Sequence, residues 1–542
     1  MQAPRDIVHI TSQEWRWVLI LAIGFTALAF LPLLMMSGAG GDAWHFMGVI
    51  MNYQDGATYF AKMAQGQEGN WLIYFRHTAE PHGGVFIQVV YPALGHLARI
   101  LDLPLEPMFH IARLVSAMLM YMALYYLGAT IWTRLRTRRM FFLLVAICSG
   151  LGWFFSPLLE ALGQPGMTSL PDLFIPEIYP FYSSLVNVHF PLAIASLALL
   201  ASIMIVAFRP GATYEPGISN GGFMAALLSL ALALLYPQAL ASLGAALALS
   251  TLAHWLVQRR LIWRDLRWVS IVALPALPLA TYYAAIVTYN PIVAEWNRQN
   301  VTSPPSILVL ALGLGLPLLI AIPGFIRAVR RFDADGDRIM LLWLVTMLVL
   351  MYLPTSTGRR FAAGMMIPLA YFAARALEDF WFERVSRRWR YRLILPVIPL
   401  MTLSWLFVLL AGTQVRAGQF LPVDYIAGFE WLRENQRDGA VILAAEEVSA
   451  WIPGLVGSRV VYGHPFETLN ALEKEQAVKD WYAGRLSDCG DLPRRNQVSY
   501  IILGPLEAEL REPGSDLQDC LADLTAVYLS ESGDLRIYAV EN

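Results

Sequence analysis

Two stretches near the start of the chain decide its fold: WVLILAIGFTALAFLPLL at residues 17–34, and NYQDGATYFAKM at residues 52–63. The first is apolar over about the length needed to cross the hydrocarbon core of a bilayer. Arg5 and Arg16 precede it and no convincing small-residue cleavage site follows it, which predicts a retained signal-anchor with its N-terminus inside. The second places Asp55 at a turn before an amphipathic helix.

The composition of the whole chain agrees with a membrane protein. Of its 542 residues, 57% are apolar and only 15% are charged, against about 25% charged in an ordinary soluble domain. Its mean hydropathy is +0.50. These values exclude a cytosolic enzyme and a disordered chain. The net charge of −2 provides no basic field for a phosphate backbone, so the chain is not a nucleic-acid binder.

The near-neutral net charge hides an uneven distribution. Residues 412–542 hold 11 of the 39 basic and 21 of the 41 acidic residues, a net of −10, which leaves +8 for the preceding part. A basic membrane part followed by an acidic tail is typical of a positive-inside bundle whose tail lies outside.

We predict an α-helical polytopic membrane bundle of about eleven spans, with a C-terminal extracytoplasmic α/β domain. The predicted spans are 17–34, 110–132, 140–161, 188–208, 221–236, 238–257, 268–288, 306–328, 338–353, 361–377 and 393–412. With this count the arginine clusters near residues 134–139, 259–267, 327–331 and 384–392 all fall on the cytoplasmic side. We divide 221–257 at Tyr236-Pro237; the alternative is one kinked helix, which would invert the topology downstream.

The predicted domains are a transmembrane domain at residues 1–412, with a long external first loop at 37–108, and a soluble domain at 413–542. In the soluble domain we expect helices at 424–435 and 467–483, strands at 441–445 and 498–503, and a terminal hairpin around Gly533. Cys489 and Cys520 both fall in this external part, where a disulfide can persist.

Ionisable residues avoid the centres of the predicted spans and gather near the outer surface. A transporter normally places polar groups and broken helices at the membrane midplane. The distribution therefore favours an active site at the outer interface over a translocation path.

The first loop contains the most informative polar residues. Asp55 is a candidate general base for an acceptor hydroxyl, and the alternative is an ordinary helix N-cap. Glu80 and His82 form a second cluster that can contact substrate or hold a divalent metal ion, although their spacing matches no specific metal motif. A solvated loop is the alternative for this cluster.

Two other predicted external segments carry candidate binding residues. Arg359 and Arg360 open the tenth span from outside, against the positive-inside tendency, and an arginine fork pairs well with a phosphate. The alternative is headgroup anchoring. Trp296 and Asn297, in the third external loop, can stack on and hydrogen-bond a sugar, or belong to an ordinary interfacial aromatic belt.

The order of a first span, a long external loop with an Asp and a Tyr-bearing amphipathic helix resembles the GT-C superfamily of membrane glycosyltransferases. Further resemblance lies in NVHFPLAIASLALL (187–200), in the Arg-Arg-Phe opening at 359–361, and in the tail segments WLREN, VILAAEE, IPG and YGHPFET (431–468). These short motifs are similar to uncharacterised bacterial members of the superfamily.

The resemblance implies a polyprenyl-phosphate-linked sugar as donor, Asp55 as the catalytic carboxylate, and Arg359 or Arg360 as a ligand of the donor phosphate. Further candidates for contact with the substrate or a metal ion are His189, His464 and Glu467, and a structural role is the alternative for His464. No second acid adjoins Asp55, unlike the pattern in protein mannosyltransferases, and this argues against a protein acceptor.

The sequence thus predicts transfer of a sugar from the lipid-linked donor to an acceptor hydroxyl at the outer face of the cytoplasmic membrane, by inverting displacement. The expected partners are the donor, the bilayer and a glycan, lipid or protein acceptor, and a divalent cation can take part. The N-terminus is expected in the cytoplasm. The alternatives are a lipid-linked saccharide flippase or transporter, an oligosaccharide ligase or polymerase, and a non-catalytic scaffold for the acidic tail.

Overall fold

A computed structural model of the chain describes residues 9–164, 169–209, 211–212, 214–333, 336–485, 488–512, 517–522 and 524–540. Its contacts divide the chain into two compact units. The helical unit comprises residues 1–31, 111–283 and 302–411. The mixed unit comprises residues 32–110, 284–301 and 412–542, so the first loop, the third loop and the tail belong to the same unit. This grouping by contacts is discontinuous along the chain, whereas we predicted two consecutive domains divided at residue 412. The predicted domain boundary stays a prediction.

The helical unit is built from apolar α-helices joined by short connections. The described α-helices that lie wholly or partly in it are Ser12–Met36, Leu105–Ile131, Leu135–Ile147, Gly152–Ala161, Pro171–Phe174, Pro180–Val186, His189–Ala207, Gly222–Leu235, Pro237–Gln258, Trp263–Ala273, Leu277–Tyr289, Ile307–Arg331, Asp337–Met351, Met366–Ala376, Phe382–Arg384, Arg387–Leu400 and Leu403–Ala411. Short 3₁₀ turns occur at Pro176–Ile178 and Gly358–Ala362, and a π turn occurs at Leu377–Trp381.

Within the described residues, six helical segments are long and apolar enough to cross a membrane, or seven if the pair Trp263–Ala273 and Leu277–Tyr289, bent by 45°, is one span. These are the features of a multi-pass membrane protein. The eleven predicted segments all contain helix, but some helices are short, such as Gly222–Leu235 with 14 residues and Asp337–Met351 with 15. The count of eleven spans therefore stays a prediction. The expected helix break at Tyr236-Pro237 is confirmed, because one helix ends at Leu235 and the next begins at Pro237.

In the mixed unit, the first loop forms two helices that pack closely together. The loop helix, Tyr53–Gln67, lies against Val90–Leu101. Glycine is needed at this contact: a Cβ at Gly66 would lie 2.1 Å from the Pro92 carbonyl oxygen, and one at Gly95 would lie 1.9 Å from that of Met63. The rings of Tyr59 and Tyr91 stack in parallel between the helices, with centroids 4.2 Å apart.

The mixed unit also contains two β-sheets. Strands β1 (Trp44–Phe46) and β2 (Phe420–Pro422) form an antiparallel pair. The other five strands have the order β4-β3-β5-β7-β6 and are β3 (Val441–Leu443), β4 (Arg459–Val460), β5 (Tyr500–Leu503), β6 (Thr525–Leu529) and β7 (Arg536–Ala539). Strand β3 runs parallel to β4 and β5, while β7 is antiparallel to β5 and β6.

The first loop covers the β4 edge of this sheet. Val460 N donates to the Arg76 carbonyl oxygen (3.1 Å), and Thr78 forms an antiparallel bridge with Tyr462. Such pairing satisfies backbone groups that an open edge would leave exposed. It also holds residues 76–80 of the loop against the tail.

The remaining α-helices of the mixed unit are Pro291–Gln299, Val423–Asn435, Glu446–Ser449, Ile452–Leu455, Ala471–Ala483, Asp491–Arg495, Pro505–Glu509 and Leu517–Ala522. The expected tail strands and terminal hairpin are confirmed, with bounds that differ by a few residues. The predicted helix start at residue 467 is wrong: the helix begins at Ala471, after Asn470 adopts a left-handed conformation with φ 53°. Cys489 and Cys520 are joined by a disulfide bond, with Cα atoms 5.4 Å apart.

Candidate functional site

Asp55 lies in the first turn of the loop helix, where Asn52 is the N-cap. The Asn52 side-chain oxygen accepts from the Asp55 backbone N–H (3.4 Å), and its Nδ2 donates to Asp55 Oδ2 (2.6 Å). The capping role proposed as the alternative for Asp55 therefore belongs to Asn52. The Asp55 side chain is 43% exposed, so a substrate can reach its carboxylate.

His464, in the tail, faces the other carboxylate oxygen. Its Nδ1 accepts from the backbone N–H groups of Phe466 (3.1 Å) and Glu467 (3.2 Å). A neutral ring that accepts at Nδ1 carries its proton on Nε2. That Nε2 lies 3.5 Å from Asp55 Oδ1, and the His464 side chain is only 4% exposed. The turn 464–467 therefore fixes both the tautomer and the direction of the ring.

Glu467, three residues further, is buried between two partners from the first loop. Lys62 Nζ lies 2.5 Å from its Oε1 and His77 Nδ1 lies 3.4 Å from its Oε2. Burial alone would raise the pKa of Glu467, but the Lys62 ammonium holds it well below its usual range. The carboxylate is therefore ionised and neutralised by Lys62.

His77 completes this cluster in its neutral form. Its Nε2 lies 3.0 Å from the Ala450 carbonyl oxygen, to which it can donate. Burial lowers the pKa of His77, and this effect exceeds the opposing attraction of Glu467. The buried cluster of Lys62, His77 and Glu467 thus joins the loop helix, the edge segment (residues 76–82) and the tail.

Glu80 and His82 lie on the edge segment, but each has a partner within the protein. The Glu80 carboxylate accepts from Lys474 Nζ at 2.6 and 2.7 Å and from the Thr78 hydroxyl. Burial would raise the pKa of Glu80, yet these two donors keep it below its usual value. His82 Nε2 lies 3.1 Å from the Phe75 backbone nitrogen. Among the described residues, no group of three or more His, Cys, Asp or Glu side chains is placed to hold a metal ion.

The third-loop helix, Pro291–Gln299, packs against the first loop and the tail. Trp296 stacks on Phe75 with centroids 6.1 Å apart and the planes 23° from parallel. Gln299 donates to the Thr468 carbonyl oxygen (2.7 Å) and accepts from the Ala471 backbone (3.0 Å). Asn297 is half-buried on the same helix. This segment therefore supports the turn that carries His464.

In the helical unit, Arg359 and Arg360 lie in the 3₁₀ turn Gly358–Ala362. Arg359 Nε is 3.3 Å from Oε1 of Glu177, whose side chain is 3% exposed. Arg360 is half-buried and electrostatically coupled to Tyr236. The His189 ring, at the start of its helix, is nearly parallel to that of Tyr236, 6.3 Å away.

Sequence reasoning missed four residues that define these surroundings: Asn52, Lys62, His77 and Glu177. Lys62 carried a signal, because it is one of only three lysines and the loop helix buries it. Asn52 precedes Asp55 by three residues, as in a capping box. The pairing of Glu177 with Arg359, 182 positions away, left no local signal.

Similarity to known proteins was found in structure and not in sequence. No protein-family model matches the chain, and no curated protein matches it. An apo oligosaccharyltransferase from Archaeoglobus fulgidus superposes with a TM-score of 0.55 at 12% identity, over 98% of this chain and 75% of that one. ArnT from Cupriavidus metallidurans, bound to undecaprenyl phosphate, gives a TM-score of 0.52 at 13% identity over 98% of both chains.

The chain has the GT-C fold. The mycobacterial arabinofuranosyltransferase AftD also shares this fold, with a TM-score of 0.55 at 16% identity, and the similarity covers 99% of this chain but only 40% of that longer one. The resemblance to GT-C enzymes stated from the sequence is therefore confirmed at the level of the fold.

Proposed function

We propose that this protein is a membrane glycosyltransferase. It transfers a sugar from a polyprenyl-phosphate-linked donor to an acceptor hydroxyl, at the outer face of the cytoplasmic membrane. The N-terminus lies in the cytoplasm and the tail lies outside. The observation that carries the proposal is the Asp55 carboxylate, which is accessible and is oriented by the Asn52 amide on one oxygen and by His464 Nε2 near the other.

Asp55 acts as the general base. The acceptor hydroxyl oxygen attacks the anomeric carbon of the donor sugar while its proton passes to the Asp55 carboxylate. The bond between that carbon and the phosphate oxygen breaks, and its electron pair leaves with the lipid phosphate. The product configuration is inverted, because a single displacement occurs without a covalent sugar–enzyme intermediate.

Arg359 and Arg360 bind the donor phosphate and stabilise the charge it gains on leaving. Glu177 supports this role by holding the Arg359 guanidinium in position from a buried site. The leaving phosphate is already an anion and needs no general acid, so the two-carboxylate reasoning used for glycosidases does not apply. His189, Trp296 and Asn297 are proposed contacts for the substrates.

Support for a polyprenyl-phosphate donor comes from the solved structures that share this fold, which include a complex with undecaprenyl phosphate and one with dolichol-phosphate. This argues against the flippase and scaffold alternatives. A ligase or polymerase acting on a pyrophosphate-linked donor would release a pyrophosphate, which the assay below distinguishes.

The test is turnover of a labelled polyprenyl-phosphate sugar supplied to the outer leaflet of proteoliposomes. The wild-type protein should release polyprenyl monophosphate. Asp55→Asn should reduce the rate by about 10²- to 10⁴-fold, the usual contribution of a general base. Asp42→Asn, which changes an exposed carboxylate of the same loop, is the matched control. Equal turnover by Asp55→Asn and Asp42→Asn would refute the assignment of Asp55.

A further inference from the structure

A concave site lies in the mixed unit, lined by neither Asp55 nor His464. It is a cavity of about 470 Å³ whose walls are residues 74–76, 80–82, 436–440 and 457–459. Ligand sites in proteins commonly enclose about 300–1,000 Å³. The cavity is therefore large enough for one or two sugar rings.

The walls are held by hydrogen bonds to the edge of the five-stranded sheet. Arg459 N donates to the Ala440 carbonyl oxygen (3.1 Å), and Gln436 Nε2 donates to that of Val456 (2.7 Å). The Arg459 guanidinium donates to the carbonyl oxygens of Ala79 and Gly439, and so connects the first-loop wall to the tail wall. These contacts hold the walls of the cavity in place without a bound ligand.

The charges around the cavity leave a positive excess. Arg76 is neutralised by a two-bond contact with Glu68 (2.8 and 2.6 Å), and Glu80 is neutralised by Lys474. In the part of the chain that the structure describes, neither Arg437 nor Arg459 forms an ion pair. Asp438 is the opposing carboxylate on the rim.

Arg459 is the cation that most needs an anionic partner. It is half-buried, and both of its hydrogen-bond acceptors are neutral carbonyls. Burial lowers the pKa of Arg459, against the attraction of Glu80. An anion in the cavity would compensate this desolvated charge, since buried charges are normally paired.

An aromatic surface lies beside these arginines. Tyr74 is 39% exposed, and its ring lies nearly parallel to that of His82, with centroids 6.2 Å apart and an angle of 21°. Rings of this kind offer an apolar face together with a polar edge. Such a surface suits the C–H face of a sugar ring.

We propose that this cavity binds an anionic saccharide, meaning a sugar that carries a carboxylate or a phosphate. Arg437 and Arg459 pair with the anionic group and Tyr74 stacks on the ring. The cavity's role as a subsite for the acceptor rests on the glycosyl transfer proposed above. Binding of an anionic saccharide in the cavity does not depend on that proposal.

The experiment measures binding by the full-length protein in nanodiscs, without any donor. Three probes are titrated by calorimetry: a tetrasaccharide of alternating glucuronate and N-acetylglucosamine, the neutral tetrasaccharide of N-acetylglucosamine, and glucose 1-phosphate. One or both anionic probes should bind at least tenfold more tightly than the neutral one, and the stronger of the two identifies the anionic group. Equal binding of all three probes, or binding of none, would overturn the proposal.

Site assignment uses a matched pair of arginines. Arg437→Ala should weaken binding of the anionic probe about tenfold, as expected when a charged hydrogen-bond donor is lost. Arg433→Ala, an exposed arginine on the preceding helix, should leave binding unchanged. Tyr74→Ala should weaken binding of the same probe without altering the thermal stability. Equal affinities of Arg437→Ala and Arg433→Ala would also overturn the proposal.

The same experiment separates this inference from the proposed function. Asp55→Asn should bind the anionic probe as tightly as the wild-type protein, because Asp55 does not line the cavity. Loss of turnover with binding retained supports both proposals. Turnover unaffected by Asp55→Asn, with binding still dependent on Arg437, would remove the catalytic assignment and keep the saccharide site.

Discussion

Asp55 and Glu467 are carboxylates of the same unit with opposite surroundings. The Asp55 side chain is 43% exposed and faces neutral donors, the Asn52 amide and the His464 ring. The Glu467 side chain is 6% exposed and contacts the Lys62 ammonium. The Asp55 carboxylate is thus oriented while it stays open to a substrate, whereas the Glu467 carboxylate is enclosed and paired with an ammonium. The first arrangement suits a base, and the second suits a structural support.

Breaking the buried pair should give the largest effect on stability. Glu467→Gln leaves Lys62 as an uncompensated buried cation, a change that typically costs about 3–5 kcal/mol. We expect a corresponding loss in the free energy of unfolding, measured by chemical denaturation of the protein followed by tryptophan fluorescence. Glu473→Gln, which alters an exposed carboxylate of the tail, should change it by less than about 0.5 kcal/mol. A similar small change in Glu467→Gln would contradict the structural role.

Removing the orienting ring should lower turnover. His464→Phe deletes the Nε2–H that faces Asp55 and should lower kcat about tenfold, with little change in KM. His464→Gln can donate to Asp55 and also accept from the backbone of residues 466 and 467, so it should recover part of the loss. Steady-state kinetics on both variants test this. A wild-type kcat in His464→Phe would show that the Nε2–H facing Asp55 does not assist turnover.

The smallest expected effect is a pH dependence that comes from His77. Burial lowers the pKa of His77 in the folded protein. As the pH falls below about 6.5, the His77 ring therefore takes up a proton in the unfolded chain before it does so in the folded protein. Stability should therefore decrease towards acid, by at most about 1.4 kcal/mol per pH unit from this group.

Unfolding free energies at pH 7 and pH 5 measure this dependence. His77→Gln should flatten the slope, whereas His45→Gln, at an exposed position, should not. Glu467 contributes in the same direction only at lower pH, since its depressed pKa preserves the Lys62 pair until the carboxylate is protonated.

Much of the mixed unit could be predicted from local sequence. The helix after Asp55, the strands at 441–443 and 500–503 and the terminal hairpin follow from hydrophobic periodicity and turn residues. The partners of these elements could not be predicted in this way. Lys62 and Glu467 are 405 positions apart, and no local pattern records such a pairing. Asp55 and His464 were both candidates, but only the fold places them together.

The limits of the prediction in the helical unit have a different cause. Apolar composition locates a helix, but it does not say whether the helix is straight. Gly315 adopts φ 52° inside Ile307–Arg331, and the pair around residues 274–276 bends by 45°. Arg359 became a candidate because it departs from the positive-inside tendency. Its buried partner Glu177 lies in a short 3₁₀ turn, where no hydrophobic periodicity indicates the pairing.

The edge contact between Arg76 and Val460 has a consequence for biosynthesis. The first loop leaves the ribosome early. Strand β4, which pairs with it, and the Glu467 carboxylate, which neutralises Lys62, are made about 400 residues later. At roughly 5–20 residues per second, this delay is about 20 to 80 seconds. During that time the loop has an unpaired edge and an unmatched lysine. The mixed unit can therefore complete its fold only after residue 467 has been translated, and a chain truncated before residue 460 should be recognised by quality-control proteases.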